Sequence, residues 1–207
     1  MAFAGQVGMT ASEDRLEKLI EERLKPDADK KQIDARIWDL FGEEWAVMFT
    51  DLSGFSRGVA EFGIIHFLQV IYESQRLLIP VIDQFDGILL KMEGDSMLII
   101  FKRPSKAMHC AIRMQQVLLE YNQDKSDTEK VLLCVGIGFG KMLRIGDRDV
   151  YGAEVNAASK LGEDTAEAKE ILVTGSAKDA AQQFGEENFI QIDTVPPGAQ
   201  SAFRLLY

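Results

Sequence analysis

Two acids far apart along the chain, Asp51 in "MFTDLSGF" and Asp95 in "KMEGDSMLIIF", are the residues best suited to holding a metal. Asp51 ends an apolar run that reads as a buried strand, and Asp95 follows a glycine in a hairpin-like turn. Two carboxylates with a backbone carbonyl between them suit Mg²⁺, a hard cation that keeps oxygen ligands and leaves positions for substrate phosphates. A pair of such ions can grip both the attacking and the leaving oxygens of a displacement. Taken singly, each acid suits a turn, where Asp bonds its own backbone, better than it suits a metal. The residues after Asp51, namely Ser53, Gly54 and Phe55, lead from strand toward helix. Small residues there let backbone N–H groups approach a phosphate at the helix's positive end.

Other patterns exclude chemistry. "GIGFGKM" lacks the Walker spacer and has Met142 where Ser or Thr should follow the lysine, and its glycines lie inside a strand rather than opening a helix. His66 and His109 have no H-E-x-x-H context, which argues against zinc. Cys110 and Cys134 have apolar neighbours and no C-x-x-C spacing, so both read as buried small hydrophobes. Asn156 and Lys160 stand i, i+4 in "EVNAASKLGED", which puts them on one face of an expected helix.

The elements that must position these residues follow from pattern. Lys and Arg number 23 against 33 Asp and Glu, a net charge of −10, which opposes a sequence-independent grip on nucleic acid. No apolar run approaches the roughly 18 residues of a membrane span, and the first residues lack a secretion signal, so a cytoplasmic location is expected. Residues 1–43 read as a helical segment of two short helices around "PDAD", and residues 44–207 as one globular domain. "WAVMFTD" is a buried strand. A long helix follows, with Pro80 expected to kink or split it. "GILLKMEGDSMLIIF" is a hairpin, and a helix opened by Ser105 follows it. "KVLLCVGIGFGKMLRI" is a long strand, "SAKDAAQQFG" a helix, and short strands close the chain. The expected fold class is α+β: a ferredoxin-like βαββαβ core with helices on one face, additional C-terminal strands and helices, and short N-terminal helices.

"FTDLSGF", "KMEGDSMLIIF" and "DVYGAEVNAASK", in that order, resemble the class III nucleotidyl cyclase catalytic domain, of the adenylate cyclase type, over most of the chain. The resemblance implies a head-to-tail homodimer with shared active sites. It implies that Asp51 and Asp95 bind two Mg²⁺ ions per site, Mn²⁺ being possible, with the Leu52 carbonyl as a further ligand. It also implies that Lys91 and Asp149 read adenine, that Asn156 orients the ribose, and that position 160 stabilises charge on the α-phosphate. Two departures stand out: Lys160 replaces the family's arginine and loses its planar fork, and no lysine follows Lys178 to bind pyrophosphate. Lys141, Arg144 and Arg148 are the substitutes to consider. The expected activity is conversion of ATP to 3′,5′-cyclic AMP and pyrophosphate. A non-catalytic nucleotide-binding module and a CTP cyclase are the alternatives, whereas a diguanylate cyclase would need a G-G-D/E-E-F turn that is absent.

Overall fold

The structure, a computed structural model, describes residues 10–54 and 63–207. The expected order is present: strand β1 (Gly42–Leu52), helix α3 (Ile64–Gln84), strands β2 (Ile88–Glu93) and β3 (Ser96–Phe101), helix α4 (Pro104–Tyr121) and strand β4 (Leu133–Ile145). Ahead of them stand α1 (Ala11–Arg23) and α2 (Lys30–Phe41). After them come β5 (Asp149–Tyr151), α5 (Ala153–Ser159), β6 (Ile171–Thr174), α6 (Gly175–Ala180), β7 (Phe189–Gln191) and β8 (Ala202–Leu205). The sheet runs β2-β3-β1-β4-β6-β8-β7, with β5 paired to β4. Its first four strands carry the ferredoxin-like order, antiparallel throughout, and β4–β6 is parallel.

Alternation along β1 divides the molecule into layers. Ala46, Met48 and Leu52 face a core shared with Leu78, Val81 and Ile82 of α3 and with Met108, Ala111 and Met114 of α4. Trp45 and Val47 face the other way, onto Val155 and Ala158 of α5. The two core helices thus share one face, as expected, and α5, which follows the core, covers the other. The α1–α2 hairpin packs Leu19, Ile33, Ile37 and Phe41 on Ile145 at the far end of β4. Thr10 and Glu13 form a capping box at the start of α1, and Asp29 caps α2 through the Gln32 N–H.

Two local readings change. Pro80 does not split α3, which continues through it to Gln84. Ser105 does not open α4, because Pro104 occupies the first turn, where its missing N–H costs nothing.

The glycines of "GIGFG" have a packing role. Gly136, Gly138 and Gly140 alternate along β4 and so share one face. On that face lies α5, so close that a Cβ at Gly136 would stand 2.1 Å from the Ala158 carbonyl oxygen, and one at Gly138 would stand 2.5 Å from that of Glu154. Gly162 completes the seat: a Cβ there would meet the Gly136 nitrogen at 2.8 Å and the Phe49 carbonyl oxygen at 2.9 Å. The Glu154 carboxylate then locks the helix start, accepting from the Phe139 N–H at 3.1 Å and the Thr174 hydroxyl at 2.6 Å.

Backbone atoms cannot yield to a new methyl group, and overpacking typically costs about 1–3 kcal/mol. Gly136→Ala should lower stability by about 2 kcal/mol or more. Gly140→Ala meets no backbone atom, only the Glu154 side chain with Cγ at 3.1 Å, and should cost less. Urea midpoints at unchanged m-value measure both.

Candidate active site

Asp51 and Asp95 meet at one end of the sheet. Asp51 is the last residue but one of β1 and lies on the α5 side, while the Gly94–Asp95 turn joins β2 to β3, with Gly94 at φ +60°. Ser96 opens β3 and donates its hydroxyl to Asp51 Oδ1 at 3.2 Å. Leu52 turns its backbone N–H toward both carboxyls. Burial and then the neighbouring Asp95 charge push Asp51 up to about 6, against the Ser96 hydroxyl and the Leu52 N–H. Asp95 is raised as well, chiefly by burial and also by the charge of Glu163, while its own N–H and the shared proton of Asp51 oppose the rise.

Among the described residues no lysine or arginine pairs with either acid. Two half-buried carboxyls that repel each other and lack a counter-cation match the chemistry of a divalent metal site. The donors are hard oxygens and few, which leaves room for phosphate oxygens. The residues present therefore fit Mg²⁺ or Mn²⁺.

Ser53 and Gly54 form the turn after β1, where the Ser53 N–H donates to the Leu132 carbonyl at 2.8 Å and Gly54 takes φ +90°. Phe55, and with it the expected passage from this turn into a phosphate-binding helix start, lies outside the described residues. The described helix begins at Ile64, after Gly63.

Lys91 and Asp149, 58 positions apart, are in contact: Lys91 Nζ donates to Asp149 Oδ2 at 3.1 Å. Two features place them, and neither is visible in residue types. The first is a β-bulge in β2: Leu89 pairs with Ile99 and Lys91 with Leu98, leaving Leu90 extra. With strict alternation Lys91 would share Leu89's face and enter the core, whereas the bulge turns it to the α5 side, where Asp51 also lies. The second is strand β5, a stretch read from sequence only as a connection, which hydrogen-bonds to β4 and holds Asp149 opposite Ile145. Asp149 Oδ1 accepts from the Val150 N–H at 3.0 Å, and the Tyr151 hydroxyl lies 3.5 Å from Oδ2. Lys91 is raised above its ordinary range, first by Asp149 and then by Glu93.

Asn156 and Lys160 are both exposed on the α5 side. They do not share an α-helix, however, because α5 ends at Ser159 and Lys160–Thr165 is a π-helical turn. Within it the Ala166 N–H reaches the Leu161 carbonyl at 2.8 Å, and Gly162 rests on β4. Lys160 Nζ pairs with Asp164 Oδ2 at 2.5 Å, and that carboxylate raises its pKa. The same turn carries Glu163, a residue near Asp95 that helical spacing does not flag.

Arg144 stacks on Trp45 and bonds Asp147, and Lys141 pairs across from Glu44; Lys141 lies seven strand positions and Arg144 ten from Cys134, the partner of Asp51, about 24 and 34 Å at ~3.4 Å per residue. Neither reaches the acids of its own chain. Arg148 lies beside the Lys91–Asp149 pair, facing Glu13 at 3.8 Å. Cys110 and Cys134 are buried free thiols, pushed up to about 12 and about 11 by burial. No described helix is long and apolar enough to cross a membrane.

Between Lys91, Asp149, Ser96 and Glu163 lies a cleft of about 160 Å³. A wider hollow of about 770 Å³ opens on the other side of the pair, toward α1, but Glu13, Glu17 and Glu21 line it and would repel a polyphosphate.

The family model described as "Adenylate and Guanylate cyclase catalytic domain" matches residues 42–197. The chain belongs to this family. As a class III cyclase catalytic domain it is similar to the crystal structure of an adenylate/guanylate cyclase/hydrolase from Silicibacter pomeroyi, with a TM-score of 0.67, 23% identity, and coverage of 80% of this chain and 98% of that one. It is 26% identical over 116 residues to "Putative adenylate cyclase 3" of Rhizobium meliloti, covering 56% of this chain and 20% of that protein. Over 128 residues it is 27% identical to the serine/threonine-protein kinase pkn2 of Myxococcus xanthus, covering 62% of this chain and 15% of that protein. The cyclase domain thus matches a fifth or less of these curated relatives.

The raised carboxyl gives the cyclase domain a pH signature. A carboxyl whose folded pKa lies above its unfolded value destabilises the fold as pH rises through that interval, here from about 3.8 to about 6. In chelator-treated protein, Asp51→Asn should therefore raise the melting temperature at pH 8, and the gain should vanish toward pH 4. A pH series of thermal melts checks this.

Proposed function

We propose that the chain is an adenylate cyclase domain converting ATP to 3′,5′-cyclic AMP and pyrophosphate, at sites shared by two copies. The observation that carries the substrate choice is the 3.1 Å contact between Lys91 and Asp149 on the face that also bears Asp51. An ammonium donates to adenine N1, and a carboxylate accepts from the 6-amino group. Guanine presents a donor at N1 and an acceptor at O6, so both protein groups would face their own kind. Each wrongly paired group costs about 1–3 kcal/mol, and two supply about 10²-fold discrimination. Until a base enters, Lys91 and Asp149 satisfy each other in a partly exposed ion pair, worth about 1 kcal/mol or less and so easily exchanged.

The cleft supports a two-copy site. Its volume of about 160 Å³ falls below the ~300–1,000 Å³ usual for ligand pockets, so one chain offers only part of a wall. In this reading Lys91, Asp149, Asn156 and Lys160 of one copy face Asp51 and Asp95 of the other. Bound Mg²⁺ or Mn²⁺ supplies Lewis acidity at the ribose 3′-hydroxyl and charge neutralisation at the β- and γ-phosphates. The protein's own contribution is positioning: Asp51, Asp95 and Leu52 fix the ions, Ser53 and Gly54 border the phosphates, Asn156 orients the ribose, and Lys160 faces the α-phosphate. Lysine offers one point charge there where arginine would offer a fork, which slows turnover without abolishing it.

The Lys160–Asp164 pair favours a second reading, a cyclase-like module that binds nucleotide without turnover. Purified protein given ATP, CTP, GTP and UTP in turn with Mg²⁺ or Mn²⁺ should form cyclic AMP predominantly. No cyclic product from any nucleotide leaves the binding module, and cyclic CMP as main product replaces ATP with CTP. Asp51→Ala and Asn156→Ala should each be inactive alone, and mixing them should restore activity through the one intact site of a heterodimer. Failure to restore it rules out sharing. Lys91→Glu combined with Asp149→Cys should cut ATP turnover about 10²-fold, read as kcat/KM.

A further inference from the structure

A hollow of about 560 Å³ lies away from the acids, between the C-terminal half of α4, the residues leading into β4, and Tyr207. We propose that it binds an amphipathic anion, a single carboxylate or sulfonate on an apolar body of eight or more carbons. Leu119, 61% exposed, and the partly buried Leu132 supply apolar surface, with Leu118 and Val131 buried beneath them. Among the described residues the charged side chains of the lining are Lys130 and Lys169, with no acidic side chain, in a chain carrying ten more acids than bases. The volume lies within the range of small-molecule pockets, which combine apolar walls with a few placed polar groups.

Both lysines are available to an anion. Lys169 makes no ion pair among the described residues and is held at φ +72°, a conformation uncommon outside glycine. Its backbone is pinned at both ends, since its N–H donates to the Leu133 carbonyl at 2.8 Å and its carbonyl accepts from the Tyr207 hydroxyl at 2.7 Å. Lys130 pairs at 2.6 Å with Asp127, a side chain 94% exposed, and such a pair contributes little. The amides of Gln115 and Asn122 are already engaged: Gln115 donates to the Leu133 carbonyl, and Asn122 exchanges two bonds with Val131. Gln116 and Gln123 remain at the rim to meet further oxygens.

The site adjoins the catalytic face through one contact. Leu132, part of its floor, accepts the Ser53 N–H at 2.8 Å, so an occupant sits one backbone hydrogen bond from the turn after Asp51. Binding itself depends on none of the cyclase residues, and its failure would leave the proposed activity untouched.

The probe is 8-anilinonaphthalene-1-sulfonate, titrated into the full chain and read by fluorescence. Lys169→Glu and Lys130→Glu should each weaken binding about fivefold or more, the loss of one ion pair replaced by repulsion. Leu119→Gln, an exposed substitution that leaves the core intact, should weaken it too. Decanoate should displace the probe, and inorganic phosphate at equal concentration should not. Unchanged affinity in all three variants, or displacement by phosphate but not by decanoate, overturns the proposal. Near-UV circular dichroism confirms that the variants are folded.

Discussion

The close seating of α5 on the glycine face of β4 is the constraint on which the active-site arrangement depends. An ordinary helix-on-sheet contact is separated by side chains on both partners. Here Gly136, Gly138 and Gly162 remove them, and backbone meets backbone. The result sets the height of Asn156 above the sheet and obliges the chain to leave α5 through a widened π turn. The same turn delivers Lys160 and Glu163. A glycine run that fails as a nucleotide fingerprint is thus responsible for the placement of groups that act on nucleotide in the proposed mechanism.

Electrostatics complete what packing begins. The acid pair is assembled at a cost, because burial and mutual repulsion both disfavour its charge, and hydrogen bonds from Ser96 and from the Leu52 and Asp95 N–H groups offset this in part. The Lys91–Asp149 pair is the reverse case: opposite charges neutralise each other on the same face. In the proposed two-copy site, an acid pair short of positive charge on one copy and a balanced pair on the other match a ligand bearing a metal-bound polyphosphate at one end and a neutral ring at the other.

Much of this was legible from residue order. The βαββαβ core follows from apolar runs and their periods, and the convergence of Asp51 with Asp95 follows from β1 and β3 being neighbours in that topology. Buried thiols and the strand character of "GIGFG" were equally plain. What escaped reading has physical reasons. The bulge at Leu90 is a one-residue slip between strands, and no local propensity announces it. Strand β5 is three residues long, below the length at which alternation is detectable. The π turn arises from tertiary contact at Gly162, and so Lys160 and Glu163 sit where α-helical spacing does not put them. Covering of both sheet faces follows from the paired glycines, whose absent side chains look like weakness in a strand until a helix is laid against them.

The bulge in β2 has a wider consequence. Because Lys91 owes its orientation to the number of residues between two hydrogen-bonded pairs, nucleotide choice in the proposed reading is governed by counting rather than by contact. Side chains along the hairpin can drift without disturbing it, but deleting one residue between Lys91 and the Gly94–Asp95 turn would pair Lys91 with Met97 and swing the ammonium into the hydrophobic interior. Redesign of this domain toward another base is therefore free to vary chemistry at that position, provided the length of the hairpin is left alone.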